Sequence, residues 1–129
     1  MSADLGFTPA DRTENIRRIG EVAKLFADAG VVVITAFISP YRDDRNRVRT
    51  IAPDQFHEVF IKADLSTCET RDPKGLYAKA RNGEIEDFTG VSAPYEEPTD
   101  ANLIIDTGAQ HSDQSVSKLL DYVSLNFKS

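Results

Sequence analysis

Arginine and aspartate side chains crowd into a short stretch that directly follows an apolar run. The run VVVITAFI, residues 31–38, stops at Ser39-Pro40, and the stretch that follows, YRDDRNRVR, contains four arginines. A guanidinium group binds phosphate or carboxylate through two parallel hydrogen bonds, and a serine hydroxyl can add another donor. The stretch is therefore either the rim of an anion-binding crevice or a solvated loop that leads into a charged helix, and both interpretations stay open here.

A second polar pair lies on the inward face of the first predicted helix. Thr8 as N-cap, Pro9 at the first position and Gly30 after the last turn predict a helix that runs to about Ala29. Its apolar stripe consists of Ile16, Ile19, Val22, Ala23 and Phe26. Arg12 and Asn15 project along the same line as part of this stripe, because each residue turns the helix by about 100°. An unpaired guanidinium is costly on such a face, so Arg12 requires a partner there.

Predicted strands and helices alternate along the chain. The strands are residues 31–38, which read as a central strand covered on both faces, and residues 57–63 and 102–107. The helices after the first are residues 43–51, 65–72, 76–81 and a last helix capped by Ser112, with Val116, Leu119, Leu120 and Val123 on one face. This alternation predicts an α/β fold with a parallel sheet. Ligands of such sheets bind outside the carboxyl ends of the strands, where Ser39 stands.

Composition excludes several classes of protein. The 129 residues suit one domain, and the net charge of −6 argues against a general nucleic-acid binder. No apolar run is long enough for a membrane span, and the N-terminal residues do not resemble a signal peptide. The single Cys68 excludes an internal disulfide, so we expect a cytoplasmic protein. His57 and His111 lack metal-ligand spacing, and Asp43-Asp44 suits a helix start better than a metal pair.

Several long motifs resemble one family in order and spacing. They are LGFTPADRTENIRRIGEVAKLFADAG, FISPYRDDR, RDPKGLYAKARNGEI, DFTG and PYEEP, from about Leu5 onward. Together they closely resemble adenylylsulfate kinase (APS kinase), including the kinase domain of PAPS synthetases. The resemblance implies a P-loop NTPase-like parallel sheet flanked by helices. It implies transfer of the γ-phosphate of ATP to the 3′-hydroxyl of adenylylsulfate (APS), giving 3′-phosphoadenylylsulfate (PAPS) in sulfate assimilation. It also implies Mg²⁺ and a homodimer, while the composition argues against a nucleic-acid or membrane partner.

The resemblance assigns roles to individual residues. The residues that it implies for APS binding are Phe7, Arg12, Asn15, Ile38, Ser39, Lys74, Asp87 and Phe88. The residues that it implies near ATP are Arg71, Thr107 and Gln110. Ser39 also matches a phosphoserine intermediate of family descriptions, and Lys74 matches a lid lysine that reaches the substrate. No base neighbours Ser39 in the sequence, and a serine without one is a weak nucleophile, so positioning is its alternative role.

The phosphate-binding motif of the fold does not occur in this sequence. No glycine is followed by lysine, so the string G-x-x-x-x-G-K-[ST] is absent. The resemblance implies that the first strand, this loop and the first helix precede residue 1, so that residues 1–129 form one partial domain with a lid at about residues 72–90. We therefore expect little turnover, marginal stability and a tendency to associate. The alternative is an inactive module that binds APS or PAPS or pairs with another subunit.

Overall fold

The computed structural model describes residues 1–127, which form two compact units. The elements in chain order are α1 (Pro9–Asp28), α2 (Arg42–Ile51), β1 (Val59–Lys62), α3 (Leu65–Arg71), α4 (Leu76–Arg81), β2 (Leu103–Asp106) and α5 (Ser112–Asn126). Unit 1 comprises Met1–Phe56 together with Ala93–Glu97. Unit 2 comprises His57–Ser92 and the chain from Pro98 onward. That residues 1–129 form a single partial domain stays a prediction.

Helix α1 begins and ends where the sequence predicts. The Thr8 hydroxyl accepts a hydrogen bond from the Asp11 backbone N–H at 3.2 Å, which satisfies one of the free donors of the first turn. Gly30 follows the helix with a φ of 84°, a conformation that glycine adopts without steric cost. The predicted apolar stripe is confirmed only in part, because Ile16 and Ile19 are buried whereas Phe26 is 54% exposed.

Helices α1 and α2 pack closely within unit 1. Gly20 is buried at their crossing, and a Cβ atom placed on it would lie 3.0 Å from a methyl group of Val48. The Thr13 hydroxyl donates to Asp44 Oδ2 at 3.0 Å, and Asp44 is only 4% exposed. Asp43 and Asp44 both lie in the first turn of α2, where the helix dipole favours acidic side chains, as predicted.

The predicted central strand at residues 31–38 is wrong. These residues adopt no regular secondary structure, and their side chains are exposed, with Ile34 at 75%. A strand needs a neighbour that takes up its backbone N–H and C=O groups. Within residues 1–127 the only two strands pair with each other, so the apolar run has no ladder to join. Its β-branched composition indicated a strand, but composition alone does not supply a partner.

Unit 2 contains a parallel pair of strands, as the alternation of elements predicts. β1 pairs with β2 in the register Val59↔Leu103 to Lys62↔Asp106. Ile105 is 1% exposed and Phe60 is 8% exposed, and these two side chains form the best-buried part of the sheet. The Lys118 ammonium of α5 donates to the Ile104 carbonyl at 2.9 Å, which fastens α5 beside β2. Both strands occur where the sequence predicts them, although each is shorter than predicted.

Helix α5 differs from its prediction in two details. His111, not Ser112, occupies the N-cap position, since its backbone is extended while Ser112 is already helical. The Gln114 side chain accepts a hydrogen bond from the His111 backbone N–H at 3.1 Å. Val116 and Leu120 are more than 60% exposed, at 64% and 63%, so the predicted apolar face is not a buried one within the described residues.

The α1–α2 crossing makes a testable prediction about Gly20. Alanine exceeds glycine in helix propensity by about 1 kcal/mol, but overpacking a core costs about 1–3 kcal/mol. Because the new methyl group would lie 3.0 Å from Val48 and 3.4 Å from Ile51, we expect Gly20→Ala to lower the free energy of unfolding. Chemical denaturation measures the change. In a Val48→Ala background the same substitution should cost less or stabilise, and a Gly20→Ala protein more stable than wild type would contradict the crossing described here.

Candidate functional site

The segment that precedes α1 is tied to the helix at three points. The Arg18 guanidinium binds both oxygens of Asp4, at 2.6 and 2.8 Å. Asp11 accepts from the Gly6 backbone N–H at 3.1 Å, and the Arg12 side chain donates to the Phe7 carbonyl at 2.9 Å. These bonds fix the position of Phe7, which presents an aromatic ring that is 77% exposed.

Phe7 and Arg12 are brought together by this arrangement. The Arg12 guanidinium carbon lies 6.0 Å from the centre of the Phe7 ring, a distance that permits a cation–π contact. The partner that Arg12 requires on its half-buried face is therefore supplied in part by a carbonyl and a ring of its own chain. Asn15 is half-buried one turn further along α1.

Charge pairs on α1 hold the same segment in place. Glu14 accepts from Arg17 at 2.8 Å and from Arg18 at 2.8 Å. The hydrogen bonds from Arg17 and then Arg18 lower the pKa of Glu14 from 4.5 to about 2. The hydrogen bond from Arg18 is the main reason that the pKa of Asp4 falls from 3.8 to about 2. Arg18 therefore bridges two carboxylates that both stay ionised at neutral pH.

Ser39 occupies a backbone conformation that is unusual for its residue type. Its φ is 45°, in the left-handed region, and it directly precedes the buried Pro40. The Ser39 carbonyl accepts a hydrogen bond of 2.6 Å from the buried Arg45. Ile38 beside it is 62% exposed. Strained residues of this kind concentrate at functional sites, and the role of Ser39 stays a prediction.

Residues 93–97 attach to the Ser39 loop through their backbone. The Glu96 N–H donates to the Pro40 carbonyl at 2.8 Å, and the Glu96 carboxylate accepts from the Arg42 N–H at 2.8 Å. Arg42 also donates to the Glu97 carbonyl at 2.8 Å, and Arg45 donates to the Glu96 carbonyl at 2.6 Å. We call residues 93–97 the clip segment. The PYEEP motif, residues 94–98, overlaps this segment, but the sequence does not show that the segment binds the arginines near Ser39.

Three of the four arginines after the apolar run thus serve the structure of unit 1. Arg42 and Arg45 bind backbone carbonyls, and Arg49 lies over the Phe56 ring at 5.1 Å. Arg47 is exposed and lines an open cavity of about 400 Å³. The other residues that line this cavity are Pro9, Ala10, Thr13, Tyr41, Asp43, Asp44 and Glu96. Three carboxylates disfavour an anionic nucleotide there, and none of the predicted site residues lines it.

In unit 2, two predicted donor-site residues meet at the carboxyl ends of the strands. Arg71, at the end of α3, donates to the Thr107 hydroxyl at 3.1 Å and to the Thr107 carbonyl at 2.6 Å. Thr107 follows β2, and its hydroxyl donates to the carbonyl of Lys62 at the end of β1, at 3.0 Å. Gln110 lies further along the same loop and donates to Ser115 at 3.0 Å. This is the edge at which parallel sheets bind ligands.

The predicted lid, residues 72–90, is fastened to α3. Asp72 accepts from the backbone N–H groups of Tyr77 and Ala78, at 3.1 and 3.2 Å, and so satisfies donors at the start of α4. Arg81 at the end of α4 binds Glu69 of α3 at 2.6 Å. Lys74 lies in the turn between these two helices, where its side chain is exposed.

An aromatic pair lies at the far end of the lid. The rings of Tyr77 and Phe88 meet edge to face with their centres 4.9 Å apart. Burial, followed by the hydrogen bond with Cys68, raises the pKa of Tyr77, so its phenol stays protonated. Asp87 next to Phe88 has a φ of 51°, the second left-handed residue other than glycine within residues 1–127. The sequence indicated Phe88 but not Tyr77 as its neighbour.

The structure brings together two pairs of predicted residues, Phe7 with Arg12 in unit 1 and Arg71 with Thr107 in unit 2. Of the other predicted residues, Asn15, Ile38 and Ser39 belong to unit 1, and Lys74, Asp87, Phe88 and Gln110 belong to unit 2. Residues 1–127 contain no group of three or more His, Cys, Asp or Glu side chains that could hold a metal ion. No helix in this part of the chain is both long and apolar enough to cross a bilayer.

Comparison with known proteins agrees with the resemblance. Residues 1–106 match the family described as adenylylsulphate kinase. The chain belongs to the adenylylsulphate kinase family. The predicted fold class, an α/β P-loop NTPase-like fold with a parallel sheet flanked by helices, is thereby confirmed.

Individual members of the adenylylsulphate kinase family match nearly the whole chain. The adenylyl-sulfate kinase of Bacillus licheniformis is 59% identical over 124 residues, which make up 95% of this chain and 63% of the relative. That of Prochlorococcus marinus is 60% identical over 118 residues, 91% of this chain and 59% of the relative. The APS kinase of Mycobacterium tuberculosis, solved in complex with AMPPNP and APS, superposes with a TM-score of 0.87 at 44% identity, covering 95% of this chain and 72% of that one. The chain thus spans less than two thirds of the length of the Bacillus licheniformis and Prochlorococcus marinus relatives.

The charge pairs on α1 predict how Asp4 and Glu14 titrate. A carboxylate with a lowered pKa stabilises the folded state above its ordinary pKa, and this contribution is lost as the pH falls through the folded value. For Asp4, we expect this stabilisation to be lost as the pH falls from about 3.8 to about 2. Arg18→Gln should return the Asp4 pKa toward 3.8, because Arg18 is its main hydrogen-bond donor. Titration of the carboxyl carbons by NMR measures both groups.

Arg17→Gln is the matched control, since Arg17 binds Glu14 and makes no ion pair with Asp4 in the described structure. It should raise the pKa of Glu14 and leave that of Asp4 near 2. If Asp4 titrates with the same midpoint in Arg18→Gln and Arg17→Gln, then Arg18 does not anchor the segment before α1.

Proposed function

We propose that this chain is part of an adenylylsulfate kinase, which transfers the γ-phosphoryl group of ATP to the 3′-hydroxyl of APS and yields PAPS in sulfate assimilation. The observation that carries the proposal is the 59% identity with an adenylyl-sulfate kinase over 124 residues. A structural neighbour whose complex contains APS and the ATP analogue AMPPNP supports it. Within this reaction, the described residues contribute chiefly to holding the acceptor nucleotide.

We propose APS-binding residues for each unit by itself. From unit 1 come the exposed ring of Phe7, the guanidinium of Arg12 and the amide of Asn15, with Ile38 and Ser39 from the strained loop. An aromatic face suits a nucleotide base, and a guanidinium suits the anionic phosphosulfate linkage. From unit 2 come Lys74, Asp87 and Phe88 of the lid. A lysine ammonium on the lid would add positive charge beside the transferred group.

Recognition of ATP is proposed to involve the Arg71–Thr107 pair and Gln110. The pair stands at the carboxyl ends of β1 and β2, and its two hydrogen bonds fix the direction of the Arg71 side chain. Phosphoryl transfer depends mainly on positioning and charge stabilisation, so a fixed guanidinium at this edge suits an anionic donor. Mg²⁺, a homodimeric assembly and a cytoplasmic location stay predictions from the family resemblance.

Ser39 is proposed to position the acceptor and not to form a phosphoserine intermediate. Its carbonyl is bound by Arg45, which fixes its backbone, and an activated serine nucleophile requires a base within hydrogen-bonding reach of the hydroxyl. Direct transfer between ATP and the 3′-hydroxyl needs no such base at Ser39.

A second candidate function is an APS- or PAPS-binding module without phosphoryl transfer. The observation that favours it is that the sequence contains no G-x-x-x-x-G-K-[ST] string. The backbone N–H groups, lysine and hydroxyl of that motif normally cradle the phosphates and bind Mg²⁺. Removing one electrostatic stabiliser from an active site commonly costs two to three orders of magnitude in rate.

Titration calorimetry with APS tests the acceptor-binding part of the proposal. We expect the chain to bind APS and Arg12→Ala to weaken binding by about tenfold or more, because a hydrogen bond to a charged group contributes about 1.5–3 kcal/mol. Arg17→Ala is the matched control, since Arg17 pairs with Glu14 on the exposed side of the same helix. A wild-type chain that binds no APS would contradict acceptor binding, whereas equal affinities of the two variants would contradict only the role of Arg12.

An assay of ATP-dependent conversion of APS to PAPS separates the two candidate functions. We expect turnover by the 129-residue chain alone to be at least about a hundredfold below that of a relative that contains the glycine-rich motif. APS binding without turnover would favour the binding module. Turnover comparable to the relative would show that the chain binds the donor triphosphate by other means.

A further inference from the structure

The backbone of Ser39 is strained and must be held by its surroundings. A φ of 45° brings the Cβ atom of a residue other than glycine too close to the backbone. The following residue, Pro40, restricts Ser39 further, because a proline ring disfavours helical conformations of the residue before it. A residue in this state keeps its conformation only if neighbouring groups fix it.

Arg45 is the side chain that bonds directly to the strained residue. It is only 8% exposed, although it carries a permanent charge. Its two terminal nitrogens donate 2.6 Å hydrogen bonds to the carbonyls of Ser39 and Glu96. Its guanidinium carbon lies 6.0 Å from the centre of the Tyr95 ring. One planar group thus joins the Ser39 loop to the clip segment.

The clip segment is attached to the Ser39 loop in two ways, through Arg45 and through its own backbone. While Arg45 binds the carbonyls of Ser39 and Glu96, the Glu96 N–H binds the carbonyl of Pro40 at 2.8 Å. The carbonyls of Ser39 and Pro40 are therefore both engaged, one by a side chain of α2 and the other by the clip backbone. These bonds leave little freedom for the two peptide groups that follow Ser39, one on each side of Pro40.

We infer that Arg45 is a positioning residue for the acceptor nucleotide, which it affects by holding Ser39 and Ile38 in their observed conformation. This inference rests on the proposed function, since it takes Ile38 and Ser39 as contacts of the nucleotide, and it assigns no such contact to Arg45 itself. Lysine cannot replace arginine in this role, because its single nitrogen lacks the planar fork that reaches two carbonyls in fixed directions. A role in overall stability alone would predict no particular link between Arg45 and the backbone conformation of Ser39.

The first test does not depend on APS. In Arg45→Lys we expect the backbone chemical shifts of Ser39 and Glu96 to change and the Glu96 N–H to exchange with solvent at least about tenfold faster, since local opening becomes easier by about 1.4 kcal/mol or more. Amides in the middle of α1 should keep their exchange rates. Arg47→Lys is the matched control, because Arg47 lies on the same helix but is exposed. Unchanged Ser39 shifts and Glu96 exchange in Arg45→Lys would overturn the inference.

The second test connects the loop to APS binding through a double-mutant cycle. Arg45→Lys should weaken APS binding by about tenfold, and Arg47→Lys should leave it unchanged. Glycine adopts a positive φ without strain, so in a Ser39→Gly background Arg45→Lys should weaken binding much less. The same loss in both backgrounds would contradict positioning through Ser39. Failure of the wild-type chain to bind APS would count against the proposed function, while the exchange measurement would still decide the role of Arg45.

Discussion

Unit 1 depends on one buried guanidinium that satisfies backbone carbonyls distant in sequence. Burying a charged group is unfavourable unless hydrogen bonds replace the lost water, and Arg45 meets this requirement through the carbonyls of Ser39 and Glu96. In return, the strained Ser39 and the otherwise irregular clip segment acquire a fixed partner. Arginine suits this task better than lysine, because its planar guanidinium can bind two acceptors in set directions. The same group lies near the Tyr95 ring.

In unit 2 an arginine also binds a backbone carbonyl, but this arginine, Arg71, is exposed. Arg71 binds the hydroxyl and the carbonyl of Thr107, and Thr107 in turn binds Lys62, so that a short hydrogen-bonded chain closes the carboxyl edge of the two-stranded sheet. In both units an arginine from the end or interior of a helix orders the loop in which the family resemblance places ligand contacts. In each unit, an arginine that bonds to backbone carbonyls thus orders a loop that carries predicted ligand contacts.

Local signals in the sequence predicted most of the elements and none of the long-range bonds. Thr8, Pro9 and Gly30 mark the ends of α1 correctly because capping depends on residues within one turn. The prediction of a strand at residues 31–38 was wrong, although the β-branched residues there favour an extended backbone. A strand also requires a pairing partner, which no local pattern reveals. Arg45 was visible only as one of several charges, since its partner Glu96 lies 51 positions away. Among the site residues, Arg12 stood out by its place on an apolar line, whereas Lys74, Asp87 and Gln110 were indicated by family motifs alone.

The clip segment also constrains the order in which unit 1 can be completed. Residues 93–97 belong to unit 1, yet the chain from His57 to Ser92 that precedes them belongs to unit 2. On a ribosome, residues 1–56 emerge long before Glu96 is synthesised, so Arg45 lacks the Glu96 carbonyl while most of unit 2 up to Ser92 is made. A polypeptide cut after Phe56 would keep both helices of unit 1 and still lack the Glu96 carbonyl that accepts a hydrogen bond from the buried Arg45.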